Sequence, residues 1–345
     1  RHIEQGDDFS VRMNGEWEFY SGTFLHGIPG HICDTLTPDC YGRVPGYWSE
    51  YRVDGQRLPR FGYGTYRAVI LLPPGYRDRM GFDIPVFDTS YEISINGVTL
   101  ARNGTPSRSK AESIPAYEPL FFSYVPVRDT LELLIRVSNW EHRRGGFWMP
   151  LKAGNFHTIQ SNFTNQWFTS IAVSGVLFAS FLFFLIFYLL DRRDKKLLMF
   201  SILVLCLALR PFLSAPYLIT ITEVRNWQLI IRGEYLILCF MITSGAWLAY
   251  MIYPARWFRK FSIALNGAFV ALFSAILLLP VHLFSYSVWF IQAAALILLL
   301  YVLTMSIRGI ARGNRLDILY LVAFMAITVG AVSDMMFANA LEENQ

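Results

Sequence analysis

The chain has 345 residues, of which 54% are hydrophobic, 16% are aromatic and only 16% are charged, with a formal net charge of +4 at pH 7. Because roughly 25% of the residues in a soluble domain are charged, this composition excludes a chain that is soluble throughout. Charged residues are concentrated before about residue 163, and long apolar runs follow Trp167. The sequence therefore predicts an extracytoplasmic β-sheet domain at residues 1–163 and a transmembrane helical bundle at residues 164–345.

Short alternating runs separated by Gly and Pro fill the first domain. One strand is predicted between Gly64 and Pro73, and the dipeptide Asn96-Gly97 predicts a hairpin between two further strands. No helical period accompanies these runs, so we expect an all-β jelly-roll sandwich. Alternation along the first of these strands places Tyr66 and Arg67 on opposite faces, which predicts that one of the two belongs to the core.

Two cysteines, Cys33 and Cys40, lie in the loop-like stretch HICDTLTPDCYG. If this domain lies outside the cytoplasm, we expect them to form a disulfide, and the alternative is a pair of free thiols. The other two, Cys206 and Cys239, lie in apolar runs and are expected to be packing residues.

Six apolar segments in the second half approach the roughly 20 residues that cross a membrane as a helix. They are residues 167–190, 197–220, 228–253, 261–279, 285–307 and 318–340. In the second of them, Pro211 follows Arg210 directly, so we expect a kink or a loosened helix at this point.

The loops between these segments differ in charge, and this difference predicts the orientation. Those after the first, third and fifth segments hold ten basic residues: Arg192, Arg193, Lys195, Lys196, Arg256, Arg259, Lys260, Arg308, Arg312 and Arg315. The loops on the other side hold Arg225 and His282. Because short cytoplasmic loops are enriched in Lys and Arg, we expect residues 1–166 to lie outside, in the periplasm of a bacterium, with the bundle in the inner membrane.

Four ionisable residues fall within the outer half of the predicted bundle: Arg210, Arg232, Glu234 and Asp334. Because intramembrane charges usually face the interior of a bundle and meet one another, we expect a polar cluster there. Snorkelling of the side chains to the membrane surface is the alternative, and it suits Arg232 best. A further acid, Asp317, is expected to lie in water at the cytoplasmic edge.

Several motifs resemble one family of bacterial receptors. The stretches GYGTYRAVILLP, YEISINGVTLARNG and LELLIRVSN resemble the galactose-binding-like jelly roll, and SNWEHRRGGFW before the first span resembles the seven-transmembrane receptors with diverse intracellular signalling modules (7TMR-DISM). The resemblance covers essentially the whole chain. It implies a seventh span leading to a cytoplasmic output module, both of which we expect to be missing from this chain, and it implies a homodimer.

Three interpretations of the stretch Ser138–Trp148 remain open. In a ligand-binding loop, the rings of Trp140 and Trp148 stack on sugars, while His142, Arg143 and Arg144 hold hydroxyls or an anion. In a membrane-facing element, the same residue types favour the interface. In a structural hairpin, the Gly pair forms a turn. We interpret the stretch as a coupling loop near both the ligand site and the bundle.

Further candidates for ligand binding are Tyr63 and Arg67, whereas the basic stretch Arg102–Lys110 is expected to be a solvated loop. No metal-ligand spacing, nucleophile elbow or P-loop occurs, so we expect neither an enzyme nor a cofactor or metal site in these residues. The predicted function is a sensor for a small carbohydrate-like or anionic ligand. We expect the protein to contact membrane lipids and not to bind nucleic acid. A transporter or a membrane scaffold is the alternative.

Overall fold

The computed structural model of the chain describes residues 8–27, 36–87, 89–147, 149–222, 226–322 and 325. Two compact units result, one made of residues 1–169 with 219–227 and the other of residues 170–218 with 228–345. The first unit is a β-sandwich and the second is helical, as the sequence predicts.

Twelve strands are present among the described residues. In chain order they are β1 (Ser10–Arg12), β2 (Gly15–Ser21), β3 (Cys40–Val44), β4 (Arg52–Val53), β5 (Gln56–Arg57), β6 (Gly62–Leu71), β7 (Met80–Ile84), β8 (Ser90–Ile95), β9 (Val98–Asn103), β10 (Leu120–Tyr124), β11 (Thr130–Asn139) and β12 (Lys152–Asn155). One sheet has the order β3-β2-β6-β11-β8-β9, a second has the order β1-β12-β7-β10, and β4 pairs only with β5. This confirms the predicted sandwich.

The core lies between the two larger sheets because alternate residues of each strand point inward. Along β11, Leu131, Leu133, Ile135 and Val137 belong to the core, and Tyr66 of β6 is fully buried among them. The neighbouring Arg67 lies on the other face of the sheet. The predicted hairpin joins β8 to β9, and Asn96 and Gly97 have φ values of 49° and 81°, the left-handed pair that a type I′ turn requires.

Five described helices are long and apolar enough to span a membrane: α1 (Phe156–Leu190), α2 (Lys195–Leu213), α3 (Trp227–Ile252), α4 (Arg256–Leu278), and the run 281–311 that contains α5 (Val281–Phe284) and α6 (Val288–Ala311). They correspond to the first five predicted spans. The sixth, residues 318–340, falls mostly outside the described residues, although 316–322 are helical.

Two helix boundaries differ from the prediction. The second span was expected to reach residue 220, but α2 ends at Leu213, two residues after Pro211. The chain cannot continue as a helix there because Ala215 precedes Pro216, and a residue before proline disfavours helical angles. The first helix begins at Phe156 instead of Trp167, so the expected domain boundary after residue 163 lies inside α1.

Candidate functional site

The outward face of the six-stranded sheet holds an ion network around Arg67. The Nε atom of Arg67 donates to Glu132 Oε1 at 2.8 Å, and its Nη1 atom donates to Glu18 Oε2 at 2.6 Å. Arg67 is 6% exposed and Glu132 is fully buried. Burial alone would lower the pKa of Arg67, but the two carboxylates outweigh it and raise the pKa above its usual range. The guanidinium therefore faces carboxylates of its own sheet.

An open groove of about 300 Å³ lies beside this network. Its lining includes Glu16, Glu18, Tyr41, Arg67 and Val69. The lining holds one guanidinium, that of Arg67, and two carboxylates from β2. Because Arg67 also pairs with Glu132, carboxylates outnumber cations here and the groove is acidic. An anionic ligand is disfavoured at this place by like-charge repulsion.

The loop that follows β11 is organised by the side chain of Asn139, which is fully buried. Its Nδ2 atom donates to the carbonyl oxygens of Arg60, His142 and Arg144 at 3.1, 2.8 and 2.8 Å. Its Oδ1 atom accepts from the backbone N–H of His142 at 3.1 Å. One amide side chain thus holds most of the backbone of the loop in place.

Two glycines let this loop pack closely against the core. A side chain at Gly145 would lie 2.8 Å from the ring of Trp48, and one at Gly146, whose φ is +106°, would lie 2.7 Å from the hydroxyl of Tyr66. That hydroxyl also accepts from the backbone N–H of Phe147 at 3.2 Å. The Gly pair is therefore required by packing as well as by the turn.

The candidate ligand residues of this loop occupy different environments. His142 is fully buried, while Arg143 and Arg144 are half-buried. Trp148 lies outside the described residues. The loop brings Trp140 to Tyr63, with ring centroids 6.4 Å apart, so two of the predicted ligand residues do meet.

A third aromatic ring extends this pair. Phe24, which sequence analysis missed, lies 4.9 Å from Tyr63 between ring centroids, and all three rings are half-buried. We call Phe24, Tyr63 and Trp140 the aromatic strip. Phe24 gave no signal in the sequence, because it lies outside any strand and reaches Tyr63 only through the fold.

The stretch Arg102–Lys110 was expected to be a solvated loop, but it begins inside β9, where Asn103 is buried. The rest of the stretch borders the aromatic strip. The indole Nε1 of Trp140 donates to the carbonyl oxygen of Ser107 at 3.1 Å, and Lys110 pairs with Glu141 at 3.1 Å. The backbone N–H of Ser107 donates to Ser138 Oγ at 3.2 Å. Polar groups therefore flank the rings, although Arg108 and Lys110 themselves are exposed.

The junction between the sandwich and the first helix has no linker, since β12 ends at Asn155 and α1 begins at Phe156. The ring of Phe121, on β10, lies 5.7 Å from Phe156 and 5.9 Å from Phe163 between centroids. Ile159, on the same side of α1, is 1% exposed. The spacing of these apolar residues along α1 is typical of one helix face, and it could have identified this extension from the sequence.

Of the residues predicted to form the polar cluster, Arg210 and Glu234 lie at one place, whereas Arg232 bonds to the end of α4. Arg210 and Glu234 line one small cavity together with Leu213, Ile237 and Leu238. Arg232 instead donates from Nη2 to the carbonyl oxygen of Leu279 at 3.0 Å and from Nη1 to that of Ile276, at the end of α4. Asp334 lies outside the described residues, so the four-residue cluster remains a prediction.

The expectation that Asp317 lies in water is wrong. Its residue exposure is 2%, and the hydroxyl of Tyr253 donates to its Oδ1 atom at 2.5 Å. The sequence suggested water because the surrounding loop is strongly basic, but the chain reverses direction after α6 and brings this carboxylate back onto the helix.

Of the two cysteines expected to form a disulfide, Cys33 lies outside the described residues, so their pairing remains a prediction. Burial raises the pKa of the Cys40 thiol, and the nearby Asp39 raises it further. Within the described part of the chain, no group of three or more His, Cys, Asp or Glu side chains is arranged to hold a metal ion.

Comparison with solved structures finds similarity to parts of larger glycosidases. β-Glucuronidase from Ruminococcus gnavus is 11% identical, with a TM-score of 0.32, and the match covers 45% of this chain and 31% of that one. A GH2 β-galacturonidase from Eisenbergiella tayi is 12% identical, with a TM-score of 0.29, over 45% of this chain and 26% of that one. This chain thus matches less than a third of either enzyme.

No curated protein matches the chain. The sequence profile of the family described as 7TM diverse intracellular signalling matches residues 166–344, which include all of α2–α6 and most of α1. Since this is more than half of the chain, the protein belongs to the 7TM diverse intracellular signalling (7TMR-DISM) family and is a multi-pass membrane protein of the sensory receptor type.

Proposed function

We propose that the sandwich senses a carbohydrate-like ligand outside the cytoplasm and passes its effect to the membrane helices through α1. The observation that carries this proposal is the direct passage from β12 into α1, whose first turns pack on the sandwich through Phe121, Phe156 and Ile159. Because no residues intervene between β12 and α1, a displacement of β12 must also displace the start of α1.

The aromatic strip is the proposed ligand contact. Half-buried rings offer apolar surface to a sugar ring, and neighbouring polar groups such as the Ser107 carbonyl and the Lys110–Glu141 pair offer hydrogen bonds. Arg143 and Arg144, in the same loop as Trp140, would favour an acidic sugar over a neutral one. His142, Trp148 and Arg67 are further ligand candidates from the sequence, and Arg67 is the least favoured because Glu18 and Glu132 already neutralise it.

A screen of neutral and acidic oligosaccharides against the full chain in lipid nanodiscs tests the ligand class. A bound sugar should raise the melting temperature of the wild type, and this shift should be lost in Trp140→Ala. It should persist in the control Trp257→Ala, because that side chain is 56% exposed in the helical unit. Melting shifts that survive Trp140→Ala would contradict the proposed contact.

An insertion tests the coupling separately. Two glycines placed between Asn155 and Phe156 should leave sugar binding intact but abolish the ligand-dependent output in cells. The matched control is the same insertion between Asp54 and Gly55, in the exposed turn that joins β4 to β5, which should preserve the output. If both insertions preserve it, α1 does not carry the signal.

The proposed topology places the sandwich in the periplasm and the bundle in the bacterial inner membrane. All ten basic residues of the three predicted cytoplasmic loops are exposed, as required for contact with water and lipid headgroups. Single cysteines at Arg193, Arg259 and Arg312 should resist an impermeant thiol reagent in intact cells and react after lysis. Labelling of these cysteines before lysis would show that the loops lie outside the cytoplasm, opposite to the proposed orientation. A homodimer and a cytoplasmic output module belong to the same proposal.

A further inference from the structure

A group of polar side chains lies buried where α3 and α6 end. The hydroxyl of Tyr253 donates to Asp317 Oδ1 at 2.5 Å and lies 3.1 Å from Ser306 Oγ. The backbone carbonyl of Tyr253 accepts a further hydrogen bond from the hydroxyl of Tyr301. These contacts join the residue that follows α3, two residues of α6, and the start of the helical residues 316–322.

The side chains of this group are buried, which increases the free-energy cost of breaking their hydrogen bonds. Asp317 is 2% exposed, Ser306 is fully buried and Tyr301 is 4% exposed. A buried carboxylate is costly unless hydrogen bonds satisfy it, and the described donor to the Asp317 side chain is Tyr253, the residue that follows α3. Separation of Tyr253 from Asp317 would therefore be opposed by the loss of a charge-assisted hydrogen bond.

The turn after α6 reverses the chain and places Asp317 next to the end of that helix. Gly313 adopts a φ of +83°, a backbone conformation that favours glycine. The backbone N–H of Asn314 then donates to the carbonyl oxygen of Gly309 at 3.1 Å, and that of Asp317 donates to Asn314 at 3.2 Å.

Gly309 provides the space that the carboxylate occupies. A Cβ atom at this position would lie 1.8 Å from Asp317 Oδ2, far inside van der Waals contact. A side chain at residue 309 would therefore displace Asp317, and α6 accommodates the carboxylate because this residue is glycine.

We propose that Tyr253, Ser306, Gly309 and Asp317 form a conformational latch, which ties the end of α3 to the end of α6 and to residues 316–322. While the latch is closed, the three elements move as one. When it opens, the end of α3 is released from residues 316–322. This inference does not depend on the identity of any ligand, because it concerns contacts within the helical unit alone.

Hydrogen exchange on the full chain in lipid nanodiscs tests the latch with variants that break it in different ways. Tyr253→Phe removes one hydroxyl, Asp317→Asn removes the charge, and Gly309→Ala displaces Asp317 without removing any polar group. Exchange should become about tenfold faster or more at the amides of both Tyr253 and Asp317 in all three variants, as expected for losing a hydrogen bond to a charged group. The control is Gly267→Ala, within α4, where an added Cβ meets nothing within 4 Å.

The decisive observation is the amide of Tyr253 in Gly309→Ala. In the closed state this amide donates to the carbonyl oxygen of Ala249 at 2.8 Å, and Gly309 lies on another helix. Faster exchange there shows that the disturbance at Gly309 crosses to α3. Unchanged exchange at Tyr253 in both Gly309→Ala and Tyr253→Phe would overturn the latch, and Tyr253→Phe keeps this test valid if Asp317→Asn does not fold.

Discussion

Apolar side chains are buried inside the sandwich, whereas many of those in the helical unit are exposed on its surface. In the sandwich, Tyr66, Phe82 and Ile135 are fully buried between the sheets. In the part of α1 that belongs to the helical unit, Val176 is 68% exposed and Leu190 is 79% exposed. Water drives apolar groups inward in the first case, whereas lipid is as apolar as the side chains themselves and provides no such drive in the second.

The two units also differ in how they satisfy an arginine side chain. Arg67 of the sandwich is satisfied by two carboxylate side chains, both of which come from neighbouring strands far along the chain. Arg232 of the helical unit is satisfied by the backbone carbonyls at the end of α4. Removal of the first cation leaves buried negative charge, whereas removal of the second leaves only neutral carbonyls, so the sandwich should be the more sensitive to such a loss.

The largest expected effect follows from this difference. Arg67→Ala should lower the free energy of unfolding of the sandwich by about 3–5 kcal/mol, because it leaves the fully buried Glu132 without its counter-charge. The measurement is denaturant unfolding of the purified full chain in nanodiscs, in which the fluorescence of sandwich tryptophans such as Trp17 and Trp48 reports the transition.

Arg77→Ala is the matched control for this prediction. Arg77 pairs with Asp129 at 2.7 Å, but both side chains are 45% exposed, and exposed pairs contribute little. The control should therefore unfold like the wild type. Equal losses in Arg67→Ala and Arg77→Ala would show that burial does not set the strength of these pairs.

The second prediction concerns the loop after β11. Asn139→Ala should lower the free energy of unfolding by about 2–3 kcal/mol, because three buried or partly buried carbonyls lose their common donor. Asn165→Ala should have little effect, since the Nδ2 atom of Asn165 makes an exposed contact with Ser161. A loss in the control as large as that in Asn139→Ala would contradict the role assigned to Asn139.

The third prediction addresses the helical unit. Arg232→Leu should destabilise this unit by about 1–2 kcal/mol through loss of the positive group at the carboxyl end of α4. The expected loss is smaller than for Arg67→Ala because no charge is left behind. The melting temperature of the helical unit in nanodiscs measures this loss. The control is Arg259→Leu, because Arg259 is an exposed residue of α4. A loss larger than that of Arg67→Ala would reverse the comparison.

The smallest expected effect depends on pH. Burial raises the pKa of Asp83, and its pair with Lys152 only partly offsets this. The unfolded chain then releases this proton at a lower pH than the folded one, so the contribution of Asp83 to stability falls as pH rises from the unfolded pKa through the folded pKa.

Asp83→Asn removes this dependence. The melting temperature of the wild type relative to Asp83→Asn should therefore fall slightly as pH increases from about 4 to 7, a range that begins near the ordinary pKa of an aspartate. A wild type that gains stability relative to Asp83→Asn over this range would mean that the pair with Lys152 dominates over burial.

The order of the elements and their type were determined by the sequence alone. Long apolar runs predict spans because the membrane acts on each helix separately, and alternation with the Asn96-Gly97 turn predicts strands because both patterns are local. The start of α1 at Phe156 also has a local pattern, although a search for apolar runs misses it. Family membership followed from short motifs as well.

Only the tertiary structure decided which groups meet. The partners of Arg67 are far from it in the chain, and Phe24 reaches Tyr63 through a loop that carries no strand pattern. Asp317 was expected in water and is instead buried against Tyr253. A charge has the same local sequence pattern whether it is exposed or buried, and its environment is set by side chains that only folding brings together.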